Sequence, residues 1–294
     1  MAKRPEKRAV LIAGPTASGK SALALEKARA LGGVVINADA MQVYDVLRVL
    51  TARPSVPEMG DVPHHLYGTV SPAVRFSTGD WLRAVEALLP DLVGLPLIFA
   101  GGTGLYFDAL TRGFADVPDV PPAVVTEVEA ELAGLDRAAR GRLIAERDPE
   151  TARLLKAPDP QRVARALAVL KATGRPLASF QRQTQPGLLE GYVLERIVLN
   201  PDREPLRRRI AERFSRMFEA GAVEEVAALL RLGLDPKLPA MKAIGVREIA
   251  DWMAGKISQE EAIERTITAT RQYAKRQRTW FRGRMADWIW VDPT

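Results

Sequence analysis

The chain has 294 residues, 47% of them hydrophobic and 27% charged, which is ordinary for a globular protein and enough for a substantial core in one large domain or two moderate ones. With no cysteine and only two histidines, the adjacent His64 and His65, disulfides, thiolate nucleophiles and cysteine-bound zinc are excluded, and a histidine metal site has too few ligands. The net charge of +6 suits an anionic partner without requiring one.

The opening run MAKRPEKRAVLIAG imitates a signal peptide, but its apolar part is short and leads straight into a phosphate-loop pattern. Residues 8 to 14 therefore read as a strand, and the chain as cytoplasmic. The longest apolar-looking region, Ala84 to Gly102, is interrupted by Glu86, Pro90, Asp91 and Pro96, so no bilayer span and no membrane partner are expected.

Gly14, Pro15, Thr16, Ala17, Ser18, Gly19, Lys20 and Ser21 match G-x-x-x-x-G-K-[ST], set between that strand and a helix-prone stretch from Gly19 to Ala30. Glycines let backbone N–H groups curl around phosphate oxygens, and the helix N-terminus adds positive potential. Lys20 supplies a point charge, and the Ser21 hydroxyl is placed to hold Mg²⁺. All eight residues are assigned to a diphosphate or nucleotide. The loop leaves open whether that group is a hydrolysed nucleotide, a kinase donor or a departing diphosphate.

Apolar runs at Gly33 to Ala38 and Leu95 to Ala100 flank an amphipathic helix from about Asp80 to Leu89. The alternation predicts an α/β fold, a P-loop NTPase-like core with a parallel sheet covered by helices. Asp39 follows the second strand and falls at the carboxyl edge of the sheet. There it could ligate a metal, act as base on a hydroxyl, take the proton of an attacking amine, or simply cap a helix. The third run ends in Gly101-Gly102-Thr103-Gly104 without the aspartate of a usual Walker B strand, which weighs against nucleotide hydrolysis. Thr103 offers a hydroxyl beside the phosphate site or caps the next helix.

From Asp116 to Glu190 the pattern is helical alone, with Pro118, Pro121 and Pro122 at one border and Pro186 at the other. An all-helical insertion over 116–190 is expected within a core of 1–115 and 191–294. Asp148-Pro149 and Asp159-Pro160 each place an aspartate at an N-cap and proline at the first helical position, and the second helix should end near Gly174. Gln161, Arg162 and Arg165 form a small polar cluster on it.

Tyr192 to Leu199 then returns the chain to the sheet. The last long helix opens at Ser258, with Glu261 three residues on completing a capping box. Arg271, Lys275, Arg278 and Arg282 share one of its faces, and Arg265 to Arg284 holds seven basic residues and no acidic one. Beside them Ile263, Ile267, Ala274 and Phe281 form an apolar stripe. Such a face suits phosphates, although a charge run by itself is as often merely solvated.

Taken in order, GPTASGKS (14 to 21), NADAMQVY (37 to 44), TARP (51 to 54), PHHL (63 to 66), AGGTGLY (100 to 106), DPQRVARAL (159 to 167), AMKAIGVRE (240 to 248) and TRQYAKRQRTWFRG (270 to 283) resemble the tRNA dimethylallyltransferases along nearly the whole chain. The resemblance implies transfer of a dimethylallyl group from dimethylallyl diphosphate to the exocyclic amine of the adenosine 3′ of the anticodon, with Mg²⁺ as cofactor. The partner would be the tRNA anticodon stem-loop, and the expected form is a monomer.

The resemblance also implies site residues. Asp39 would be the general base, with Thr103 and Arg213 completing the catalytic set and Lys20 and Ser21 around the diphosphate and metal. Residues in tRNA-contacting segments would be Asp39, Ala40, Met41 and Gln42, Thr103, then Gln161, Arg162, Val163, Ala164 and Arg165, then Arg247, and finally Arg271, Lys275, Arg276, Gln277 and Arg278. Departures from the usual pattern are Ala40 for a common serine, VLRVLTARP without its usual glycine, Gly68 for a frequent aspartate and Val125 for a frequent arginine.

Overall fold

In a computed structural model, residues 6–155 and 157–293 are described, and the basic start with Lys3 and Arg4 lies outside them. The chain folds as two compact units, one of residues up to Thr111 together with those from Leu188 onward, the other Arg112–Gly187.

The first unit is built on six strands: β1 (Arg8–Ala13), β2 (Val34–Asn37), β3 (His64–His65), β4 (Leu97–Gly101), β5 (Val193–Leu199) and β6 (Ile289–Val291). All pair parallel, in the order β3-β2-β4-β1-β5-β6. β2 and β4 are buried at every residue and β1 from Ala9 onward, because helices cover both faces, and this is why these strands read as unbroken apolar runs. On one face Leu11, Ile36 and Phe99 belong to the larger core; on the other Val10, Ile12, Val35 and Ile98 pack with Ala24 and Ala28. β3 and β6 have two and three residues, too short to announce themselves by periodicity.

The helices of this unit are α1 (Lys20–Leu31), the short α2 (Val56–Met59), α3 (Thr78–Leu88) and α4 (Gly104–Arg112) before the second unit. The second unit holds α5 (Pro122–Leu132), α6 (Arg137–Arg147), α7 (Pro149–Leu154), α8 (Pro160–Thr173) and α9 (Leu177–Gln181). After it, the first unit continues with α10 (Arg203–Met217), α11 (Val223–Arg231), α12 (Val246–Met253) and α13 (Gln259–Arg284). No helix among the described residues is long and apolar enough to cross a membrane.

Several boundaries follow from local chemistry. The Asp148 carboxylate accepts the Thr151 N–H at 2.9 Å, that of Asp159 accepts the N–H groups of Gln161 and Arg162 at 3.1 Å, and Gly174 ends α8 at φ 69°. The reciprocal box expected at Ser258 is only half formed. Ser258 accepts the Glu261 N–H at 3.2 Å, but the Glu261 carboxylate turns forward to Arg265 at 2.5 Å, a charged partner one turn on. A full box stands instead at Ser77 and Asp80, where each side chain accepts the other's N–H at 3.1 and 2.8 Å.

The core of the second unit gathers Val128, Leu132, Ile144, Val163 and Leu167 from α5, α6 and α8. Between α10 and α11 the backbone widens into a π-helical turn over Phe218–Ala222, relieved at Gly221, whose φ is 105°.

The tightest approach in the sheet is at Gly101, where a methyl group would fall 1.9 Å from the Ala38 carbonyl oxygen. Gly101→Ala should cost about 3 kcal/mol or prevent folding, by overpacking backbone against backbone. Gly283→Ala, with open space around it on α13, should be neutral or add up to about 1 kcal/mol. Urea unfolding of the two variants checks this, and equal stabilities would be the wrong outcome.

Candidate functional site

β1 delivers the chain to Gly14, and α1 takes it up at Lys20. Between them Ala17 (φ 63°) and Gly19 (φ 89°) adopt left-handed backbone, which turns successive N–H groups to one side as an anion-binding nest. That conformation costs an alanine about 1 kcal/mol, a strain of the kind concentrated at functional sites. Ser18 inside the loop is fully buried, and its Oγ has no hydrogen-bond partner. The Lys20 ammonium donates to the Pro15 carbonyl at 2.8 Å. Burial pushes its pKa down to about 8, with the Asp39 carboxylate opposing the shift and the Arg213 charge adding to it.

Asp39 sits just past β2, in a turn organised by the fully buried Asn37. The Asn37 side chain accepts the Asp39 N–H at 2.9 Å and donates to the carbonyls of Asp39 and Leu66 at 3.0 Å. Its backbone carbonyl accepts the indole N–H of Trp81 at 2.8 Å, and Trp81 stacks on Tyr106 with ring centroids 4.2 Å apart. One Asp39 oxygen accepts the Met41 N–H at 2.9 Å. Thr103 does not cap α4 with its hydroxyl: that oxygen accepts the Ala40 N–H at 2.9 Å and so braces the Asp39 turn.

A cavity of about 330 Å³ joins these parts. Thr16 of the phosphate loop, Asp39 and Arg213 all line it, together with Met41, Ile210, Phe214 and Tyr273. The Arg213 guanidinium donates to the Thr16 hydroxyl, and burial lowers its pKa to about 10 against the pull of Asp39. Burial, reinforced by the Asp39 charge, raises the phenols of Tyr67, Tyr106 and Tyr273, so they remain neutral donors. A second cavity of about 590 Å³ opens on the Ser21 side and is strongly basic, with Arg48, Arg53, Arg213 and Arg216 in its wall.

The segment that walls both cavities is held by Glu225, which the sequence did not single out, and by Gln42. The Glu225 carboxylate on α11 accepts the N–H groups of Arg48, Val49 and Leu50 at 3.0, 2.6 and 3.0 Å. Gln42 donates its side-chain amide to the carbonyls of Thr51 and Ala52, at 3.0 and 2.9 Å. Nothing in the sequence marks Glu225, the second of two adjacent acids in the first turn of α11. Asn37 left a trace, as a polar residue closing an apolar run.

The remaining expected site residues are placed unevenly. Arg271, Lys275, Arg276 and Arg282 are exposed on α13, while Arg278 is half-buried, its charge disfavoured first by burial and then by Arg282 and Arg203. Arg276 also lines the smaller cavity and lies over the Tyr273 ring at 5.8 Å. Gln277 is buried, its amide bonded at both ends to backbone of the first unit. Arg247 on α12 is exposed and 3.7 Å from Asp251. In the second unit Gln161, Arg162 and Arg165 are placed on α8, all three exposed. Val163 is a correction: it is wholly buried in that unit's core, so its side chain has no surface to offer tRNA. Among the described residues no cluster of three or more acidic or histidine side chains could hold a metal by itself.

A family profile described as IPP transferase matches residues 42–284, and one described as isopentenyl transferase matches residues 7–65. The chain belongs to the IPP transferase family. Among relatives in it, the tRNA dimethylallyltransferase of Agrobacterium fabrum (strain C58) is 51% identical over 289 residues, covering 97% of each chain. That of Methylobacterium sp. (strain 4-46) is 53% identical over 290 residues, covering 97% of this chain and 94% of its own. The crystal structure of the tRNA isopentenylpyrophosphate transferase from Bacillus halodurans superposes with a TM-score of 0.69 at 33% identity, over 98% of this chain and 90% of that one. A eukaryotic dimethylallyltransferase crystallised acting on tRNA gives a TM-score of 0.82 at 27% identity, over 98% of this chain and 74% of that one. The parallel sheet flanked by helices is thus the fold of tRNA prenyltransferases in this family.

The lowered pKa of Lys20 has a measurable consequence. A diphosphate held in the nest would need the ammonium, so above pH about 8 its binding would take up a proton. The affinity for inorganic diphosphate should then fall about tenfold per pH unit relative to Lys20→Met, until the pKa of the complex is reached. Calorimetry across pH 7 to about 10 checks this. Parallel profiles for the two proteins would show that Lys20 does not titrate there.

Proposed function

We propose that this chain transfers a dimethylallyl group from dimethylallyl diphosphate to the exocyclic N6 amine of the adenosine 3′ of the anticodon in tRNA, releasing diphosphate. The observation that carries this is the single cavity lined at once by the phosphate loop, by Arg213 and by Asp39, with an apolar wall of Ile210, Phe214 and Met217. Its volume of about 330 Å³ is that of a small-molecule pocket.

In this reaction the amine lone pair attacks the allylic carbon, the carbon–oxygen bond breaks, and diphosphate leaves with the bonding electrons. The nest of loop N–H groups, Lys20 and Arg213 face the charge that builds on the leaving group. They are preorganised by burial, so little reorganisation is needed at the moment of reaction. Asp39, held by the Asn37 turn and by the Met41 N–H, takes the amine proton. The apolar wall receives the prenyl tail and keeps water from competing with the amine.

Ser21 fits a magnesium ion: one hydroxyl at the start of α1, beside a nest for phosphate oxygens, is the sparse oxygen set that Mg²⁺ takes with a polyphosphate. When bound, the ion would help neutralise the diphosphate. We assign tRNA backbone contacts to Arg271, Lys275, Arg276, Arg278 and Arg282 on α13 and to Arg247, and the helical unit with Gln161, Arg162 and Arg165 to gripping the anticodon loop. The protein would act as a cytoplasmic monomer.

Incubation with unmodified tRNA, Mg²⁺ and dimethylallyl diphosphate should add one prenyl group to one adenosine, read by mass analysis of digested nucleosides. Transfer to free AMP instead, or phosphate transfer from ATP, would sink the proposal. Asp39→Ala should lower turnover by about 10²- to 10⁴-fold and change tRNA affinity little; near-normal turnover would remove Asp39 from its role.

Replacing Arg271, Lys275, Arg278 and Arg282 by glutamine should weaken tRNA binding. It should also flatten the dependence of log affinity on log salt by about three units, since each lost phosphate contact removes about 0.7 to 0.9. An unchanged slope would mean that this face is only solvated.

A further inference from the structure

Gln277 lies in the middle of the basic run of α13, with Lys275, Arg276 and Arg278 around it, yet only 6% of its surface is exposed. Its Oε1 accepts the N–H of Thr16 at 3.0 Å, and its Nε2 donates to the carbonyl of Gly102 at 2.9 Å. One amide therefore ties the phosphate loop after β1 to the turn after β4, two segments that the strand ladder leaves free at this point.

The bridge borders both halves of the site. A methyl group added to Gly102 would lie 2.2 Å from the Gln277 Nε2 and 3.2 Å from an Asp39 carboxylate oxygen, so amide and acid flank the same glycine. Thr103, next in the chain, accepts the Ala40 N–H and braces the Asp39 turn. At the other end, the Thr16 hydroxyl takes the Arg213 guanidinium. To reach a tRNA base, Gln277 would have to abandon two backbone groups that it satisfies in the folded chain, a cost folded proteins avoid.

We infer that Gln277 is a positioning residue, which fixes the distance between the diphosphate cradle and the Asp39 turn, and is not a side chain that touches tRNA. The inference deepens the proposed prenyl transfer and rests on it only where turnover is measured. α13 then has two jobs on opposite faces: its exposed cations meet the polyanion, and its buried amide sets the geometry of the reacting groups.

The test compares Gln277→Met, close in size but unable to make either bond, with its exposed neighbour Lys275→Ala. Three quantities are measured: affinity for inorganic diphosphate with Mg²⁺, affinity for tRNA, and turnover with both substrates saturating. Gln277→Met should weaken diphosphate binding about 10-fold, as the loop loses its anchor. It should cut saturated turnover about 100-fold through misplacement of the reacting groups, and leave tRNA affinity within about twofold. Lys275→Ala should do the reverse, weakening tRNA binding with diphosphate affinity unchanged.

A Gln277→Met protein that binds diphosphate normally and loses tRNA affinity overturns the inference. If the wild-type protein transfers no prenyl group, the functional proposal fails, while the diphosphate and tRNA measurements still decide the role of Gln277. Should Gln277→Met not fold, hydrogen exchange on the wild-type chain decides. A slowly exchanging Thr16 amide without ligand is expected, and exchange as fast as in an open loop rejects the bridge.

Discussion

The backbone of Gly101 comes so close to Ala38 that no side chain fits between them, and the working end of the molecule is arranged around that approach. β4 lies between β1 and β2, so the turn that follows it is flanked by the phosphate loop on one side and by the Asp39 turn on the other. Two glycines in sequence, Gly101 and Gly102, let the turn lie low enough for Gln277 to reach across it. Parallel sheets bring such loops together at their carboxyl edge as a matter of topology. The close packing of this one turn makes the three loops a single unit.

Burial and charge act against each other throughout the site. Lys20 and Arg213 are cations held in a poorly solvated place, and burial lowers the pKa of both; Asp39 is the acid that partly restores their charge. A diphosphate arriving in the nest would reverse the penalty for both cations at once. Burial keeps three neighbouring phenols neutral, and the Asp39 carboxylate reinforces it. Preorganisation of this kind is sustained by the folding of the rest of the chain, from the strain at Ala17 to the buried Ser18 hydroxyl.

Much of the frame is legible in the sequence. The strands β1, β2 and β4 are doubly covered and β5 is buried over its last three residues, and all four are therefore spelled in largely apolar residues. The helix starts at Asp148 and Asp159 are legible because capping is chemistry between residues two or three apart. The half-formed box at Ser258 departs from expectation for the converse reason: the carboxylate of Glu261 has two local partners, and the choice of Arg265 depends on how α13 leaves its first turn. The edge strands β3 and β6 are invisible in the sequence because their pairing is supplied by neighbours far along the chain.

Of the site, the phosphate loop, the acid after the second strand and the basic face of the last helix can be read from the residues alone, since each is a local pattern with a local physical cause. Which of those groups share a cavity, that Val163 serves a core, and that Asn37, Glu225 and Gln277 hold the loops around that cavity emerge only in the folded chain. Those three make their bonds to backbone, and a backbone acceptor or donor has no identity in a sequence. Their partners exist only once the chain has closed on itself.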